Sequence, residues 1–277
     1  MKLHRSIAPA LAVLACLSTA VPSAVAQSSG GCPPEISTTP RAGVPAKLTV
    51  QDLHVGMTLA EAEATLACKF PGFETVFPDG GYIVKTYETP VALKQFLTVS
   101  NFPPANRLAM PGNERVDLQA IGLPGKEVVH AIAHRKMYET ASRPTKDALH
   151  SALLKKYGEP SEINDLYAFG KRYTWFYDVN GNQVTSSQYH KPGCMKATAT
   201  KPTGVTSGFA ATGCGVVLDI LVKPARDNPQ LADALTVNIV DSHGLASGVE
   251  ALQGHFDKIE NARRNAEAAE ASSDIDL

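Results

Sequence analysis

The chain has 277 residues, with 26 Lys and Arg against 27 Asp and Glu, a formal charge of −1. So even a balance argues against nucleic acid or an anionic membrane as the main partner, because both demand a basic surface. The length allows one large domain or two small ones.

Residues 1–26 have the three regions of a secretory signal peptide: Lys2, His4 and Arg5, an apolar run from Ile7 to Ala20, and Ala24-Val25-Ala26 before Gln27. Cleavage there leaves 277 − 26 = 251 residues in a periplasmic or secreted protein. Losing Lys2 and Arg5 sets 24 basic against 27 acidic residues, a charge of −3. The alternative is a lipid anchor on Cys16 in Val13-Leu14-Ala15-Cys16, for which Leu14 is a poor fit. No later stretch reaches the ~20 apolar residues of a transmembrane helix.

Residues 27–47, with Pro33, Pro34, Pro40 and Pro45, read as an extended lead-in. The first helix-plus-sheet unit, residues 48–141, opens with a capping box. Thr58 and Glu61 can each satisfy one of the N–H groups that a helix start leaves unbonded. The helix runs from about Leu59 to Cys68, and strands are expected at Phe73–Phe77, Tyr82–Glu88, Gln95–Val99 and Glu127–Tyr138. On the last strand His130 and His134 share one side but lie about 13 Å apart at ~3.3 Å per residue, too far to share a metal.

The second unit, residues 142–243, begins with Thr145 as N-cap of a helix ended by Gly158 and Pro160. Strands are expected at Leu166–Phe169, Arg172–Asp178, Val216–Val222 and Leu235–Val240, with Asn180-Gly181 as a hairpin turn. Alternation places Tyr173, Trp175 and Tyr177 on one side, as core or as an aromatic binding face. Ser247 and Glu250 form a further capping box for a C-terminal helix over residues 244–268, and 269–277 reads as a disordered tail. The fold class is therefore α+β: two tandem units of a helix packed on an antiparallel sheet, plus a C-terminal helix.

Without Cys16, four cysteines remain, and an even count in an oxidising compartment points to two disulfides. Three pairings are open. Cys32 with Cys68 and Cys194 with Cys214 keep each bond inside or beside one unit, and each loop would contribute on the order of 3 to 4 kcal/mol. The second bond closes a Thr-, Lys- and Gly-rich loop suited to contact. Lys191 just before it and Lys196 and Lys201 within it, with Tyr173, Trp175 and Tyr177 on the preceding strand, are the candidate partner-binding residues.

Common hydrolase, nucleotide-binding and metalloprotease motifs are absent. Asp178-Val-Asn180-Gly-Asn182 misplaces the glycine of a calcium loop, and Asp241-Ser242-His243 are neighbours that cannot form a triad. The expectation is no catalysis, no cofactor and no metal.

Val55-Gly56-Met57-Thr58 followed by Glu61 and Leu66 resembles the helix opening of the small outer-membrane-assembly lipoproteins of the SmpA/OmlA type. It also resembles the beta-lactamase inhibitory proteins, which carry two tandem helix-plus-sheet units. Either resemblance implies a non-catalytic module that binds a protein partner in the cell envelope. The second unit departs from it with Arg143-Pro144-Thr145, and no family's site residues carry over. The leading functional expectation is an exported binding or accessory protein. An inhibitor or immunity protein against an exported enzyme, or an enzyme of unfamiliar type, are the alternatives.

Overall fold

Strands β1 (Thr49–Val50) and β2 (Leu53–His54) form a short ribbon ahead of helix α1 (Leu59–Lys69). The helix starts where it does because Thr58 Oγ1 accepts the Glu61 N–H at 3.2 Å while a Glu61 carboxylate oxygen accepts the Thr58 N–H at 2.8 Å. Replacing Thr58 with Ala is expected to lower stability by about 1 kcal/mol, read from the midpoint of urea unfolding. The computed structural model describes residues 40–76, 83–85, 90–92, 96–102, 110–123, 125–190, 194 and 213–273. All of these fall in one compact unit, Cys32–Leu277. The expected signal segment and most of the lead-in lie outside the described residues.

The remaining elements are β3 (Glu74–Val76), β4 (Ile83–Lys85), β5 (Pro90–Ala92), β6 (Phe96–Ser100), β7 (Glu114–Ile121) and β8 (Val128–Met137). After them come α2 (Lys146–Tyr157), β9 (Glu162–Asp165), β10 (Lys171–Tyr177), β11 (Gln183–Val184), α3 (Ser186–His190), β12 (Val216–Pro224), β13 (Ala232–Asp241) and α4 (Ser242–Ser273). Among the described residues nine strands make one antiparallel sheet in the order β11-β10-β12-β13-β8-β7-β6-β3, with β9 also on β10; β4 and β5 form a separate ribbon. The molecule is thus α+β, mostly sheet, with a C-terminal helix.

Both halves run from a helix into strands that enter the sheet in sequence order, α1 to β3-β6-β7-β8 and α2 to β9-β10-β12-β13. The two closing strands, β8 and β13, pair with each other. The helix starts are tied in the same way, Thr58 bridging to Val128 at the start of β8 and Thr145 to Leu231 beside the start of β13. A bulge between Gln119 and Ala120 faces Val129–Ala131, and another between Lys223 and Pro224 faces Ala232–Ala234.

Period-2 alternation puts Leu97, Val116, Leu118, Ile132, Ile239, Leu218 and Trp175 on the face covered by α1 and α2, where they form the main core with Leu66, Leu153 and Tyr157. The opposite face receives α4, whose Leu245 and Leu252 pack on Ile121. It also carries a polar row across six strands: Thr98, Asp117, Ala133, Asn238, Asp219 and Thr174 are successive cross-strand partners. Each member is buried. Thr98 donates to Asp117 at 2.8 Å and Thr174 to Asp219 at 3.2 Å. Guanidinium groups from the neighbouring row reach over the carboxylates, Arg115 Nε to Asp117 at 2.7 Å and Arg172 Nε to Asp219 at 3.5 Å.

Five elements differ from expectation. The strand expected at Leu166–Phe169 lies at Glu162–Asp165, and Tyr167–Phe169 forms a single 3-10 turn. Glu114–Ile121 is a central strand, whereas Ile83–Lys85 pairs outside the main sheet. Helix α4 starts at Ser242, ahead of the Ser247 and Glu250 signal, because Asp241 Oδ1 accepts the Gly244 N–H at 2.9 Å. It continues through residues 269–273, carried past its last core contacts by pairs of Arg263 with Glu260 and Glu267 and of Arg264 with Glu260. Finally, the bulge in β8 turns His130 away from His134: the former lies under α4, the latter beside Phe70 of the α1 cap.

Candidate functional site

The β9–β10 turn is organised by its backbone. Leu166 N–H donates to Gly170 O at 2.8 Å, and Phe169 N–H to Leu166 O at 3.0 Å. Tyr167 takes a left-handed φ of 52°, and Gly170 has φ 112° with Val222 O only 2.2 Å from where a Cβ would sit. No residue but glycine fits there. On this rigid frame Tyr167 is 95 % and Phe169 75 % exposed, and Ile163, the cross-strand partner of Tyr173, is 46 % exposed. Two aromatic rings thus stand in water on a hydrogen-bonded turn whose first aromatic residue is in the left-handed region.

Beside the turn is a cleft of about 220 Å³ between the start of α2 and the sheet, lined by Lys146, Asp147, His150, Asp165, Tyr167 and Tyr173 among others. Its helix wall is fixed by Thr145, whose hydroxyl accepts the Ala148 N–H at 3.2 Å, and by the Lys146 N–H donating to Gln230 O at 2.9 Å. The His150 ring lies 5.4 Å from that of buried Tyr173, and its Nδ1 is buried with no hydrogen-bond partner among the described residues. Burial raises the Tyr173 phenol above its ordinary value, and the charges of Asp147 and Asp165 raise it further. Neither carboxylate is in an ion pair among the described residues, nor is Lys146 or Lys171.

Of the residues singled out from sequence, Tyr173, Trp175 and Tyr177 lie together on the helix-covered face, all buried. Trp175 Nε1 donates to Gly158 O at 3.0 Å, and its ring lies 5.6 Å from Tyr157. Tyr173 alone also lines the cleft. Lys191, Lys196 and Lys201 lie outside the described residues. Cys194 and Cys214 form a disulfide with Cα atoms 5.6 Å apart, packed on Phe176 and Val217 on the face away from α1 and α2. Cys68 is also in a disulfide, its partner outside the described residues. The Asn180-Gly181 segment is the hairpin turn between β10 and β11, with Asp178 Oδ1 accepting the N–H groups of Asn180 and Asn182.

Tyr167 and Phe169 escaped the sequence reading because Leu166-Tyr-Ala-Phe169 has the composition of a strand. The signals against it were Asn164-Asp165 before and Gly170 after.

Among the described residues no group of three or more His, Cys, Asp or Glu side chains is placed to hold a metal ion, and no helix is long and apolar enough to cross a membrane. No protein-family model matches the chain, and neither does any curated protein or solved structure at a significant level.

Proposed function

We propose that this is an exported, non-catalytic protein that works by holding a protein partner in the cell envelope, with the 166–170 turn and the adjoining cleft as the contact surface. The observation that carries this reading is the exposure of Tyr167 and Phe169 on a turn fixed by its own backbone bonds. Aromatic anchors of this kind dominate protein interfaces, and prior rigidity lowers the ordering cost on association. The Cys194–Cys214 disulfide is compatible with an exported chain. The signal peptide and the periplasmic or secreted location remain part of the proposal.

We further read the chain as two tandem helix-plus-sheet units joined edge to edge through β8 and β13. The support is the matched order of elements, the matched Thr58 and Thr145 bridges and the matched bulges. A second functional reading, an inhibitor of an exported enzyme, is favoured by the projecting rigid turn, which has the form of an inserting element.

The test is capture from envelope extract with the mature chain as bait, followed by affinity measurement on any purified partner. Replacing Tyr167 and Phe169 together with Ala should weaken binding at least about 100-fold, the loss of two buried aromatic anchors, with the melting temperature unchanged. A partner that binds this variant as tightly as the parent, yet is lost on replacing Lys196 and Lys201 with Ala, would move the contact surface to the disulfide-closed loop.

A further inference from the structure

Antiparallel pairing fixes more about β9 than its place in the sheet. Leu166 N–H donates to Gly170 O at 2.8 Å, and from there the register runs Asp165 with Lys171, Asn164 with Arg172, Ile163 with Tyr173 and Glu162 with Thr174, without a bulge. Hydrogen-bonded and wide pairs alternate in such a ladder. Asn164 and Glu162 therefore bond to β10, while the N–H and C=O groups of Ile163 and Asp165 point away from it. No described strand lies beyond β9, and both residues are exposed.

Outward N–H and C=O groups are a template for another strand, and proteins commonly blunt such an edge with charge or proline. Here the middle of the edge is instead Ile163, 46 % exposed. Of the five large hydrophobic residues exposed among those described, Ile163, Tyr167 and Phe169 share this corner, the others being Met110 and Ile259. Covering the corner buries apolar surface but also takes water from the edge's polar groups, which then need new hydrogen bonds. An extended chain meets both demands, whereas a helix or a small apolar ligand meets only the first.

Charge decides against a second copy as that chain. In every antiparallel self-pairing that uses the Ile163 and Asp165 groups, Glu162 or Asp165 stands opposite or diagonal to its own twin, which is destabilising. A different strand with no acidic residue at those places escapes the repulsion.

We propose that β9 accepts an extended strand from the protein partner, bonded to the N–H and C=O groups of Ile163 and Asp165, with an apolar residue against Ile163 and no acidic residue beside Glu162 or Asp165. This rests on the protein-binding reading given above and adds the mode of attachment.

The experiment titrates the isotope-labelled mature chain with the blocked peptide acetyl-Thr-Val-Lys-Val-Thr-Val-amide to millimolar concentration, following backbone amides by NMR. Saturable shifts are expected at the Ile163 and Asp165 amides, which take up the new bonds, and smaller ones at Asn164, already bonded to β10. The same peptide N-methylated at its valines should not bind, and glutamate in place of its lysine should weaken it. Asp165→Pro removes one outward N–H and leaves the β10 ladder whole, so it should bind the peptide about fivefold more weakly than Asp165→Ala, the loss of one hydrogen bond. Ile163→Pro against Ile163→Ala is a second such pair, and it decides if Asp165→Pro melts early. Equal binding of the N-methylated peptide, proline variants that match their alanine counterparts, or no saturable shift with the parent peptide overturns strand addition. Self-association of the chain that Asp165→Pro abolishes would assign the edge to a second copy and overturn it as well. A partner protein lost on replacing Tyr167 and Phe169 but indifferent to both proline variants would overturn strand addition while leaving the contact surface in place.

Discussion

Trp175→Ala should lower the free energy of unfolding by about 3 to 5 kcal/mol, the range for deleting a large buried aromatic side chain. Trp175 has no exposed surface and lies between Tyr157, 5.6 Å away, and Tyr173, 6.4 Å away. Removing it opens a void where α2 meets the sheet and strips the Gly158 carbonyl, at the end of α2, of the indole N–H at 3.0 Å. Trp175→Phe should cost less, since it keeps much of the volume and loses mainly the hydrogen bond. Urea unfolding at neutral pH separates the two. A change below about 1 kcal/mol for the alanine variant would mean that α2 is not held to the sheet by this contact.

Acidification from pH 7 to pH 4 should remove about 3 kcal/mol through His130 alone. His130 is 6 % exposed and lies under the first turns of α4: a Cβ at Gly244 would lie 2.8 Å from its Nδ1 and one at Gly248 3.2 Å from its Nε2. Burial foremost, and Arg41 secondarily, push its pKa from 6.5 to about 4, against the opposing pull of Asp241. The folded chain thus binds this proton less readily than the unfolded chain. The stabilising contribution is complete above pH 6.5 and is lost as pH falls toward 4, at up to about 1.4 kcal/mol per pH unit. Glu114, held below its ordinary value by its bonds to His134 and Lys136 despite burial, loses its contribution only below the unfolded carboxylate value of 4.5. Above pH 4.5 the Glu114 contribution is therefore intact and does not mask the loss through His130. Urea unfolding across the interval from pH 6.5 to 4.5 should show a steep loss of stability in the parent and a nearly flat profile in His130→Gln. An equally steep profile in that variant would assign the acid sensitivity elsewhere.

His130 also marks how much of the molecule could be read in advance. Alternation assigned it to the same side as His134, which is correct for an uninterrupted strand, but one extra residue in β8 turns it to the opposite face. A bulge leaves little trace in composition. The same holds for the start of α4, where Asp241 becomes a cap because Arg41, 200 residues away, binds its carboxylate at 2.9 and 3.0 Å. Local chemistry nearer at hand was decisive for the Ser247 and Glu250 signal in the sequence and irrelevant in the fold.

What the sequence by itself determined are the features set within a few residues of chain. The Thr58 and Glu61 box starts α1, and Thr145 and Gly158 bound α2. Asn180-Gly181 turns β10 into β11, and β10, β12 and β13 follow the expected hydrophobic runs. Side-chain capping, turn stereochemistry and alternation act at short range, so they are written in neighbouring residues. Only the tertiary structure decided that β8 and β13 join both halves into one sheet, which face each histidine takes, and that Tyr173, Trp175 and Tyr177 are interior while Tyr167 and Phe169 face water. Those outcomes depend on pairing between strands about 100 residues apart and on which surfaces α1, α2 and α4 cover, and neither is encoded in the spacing of a single segment.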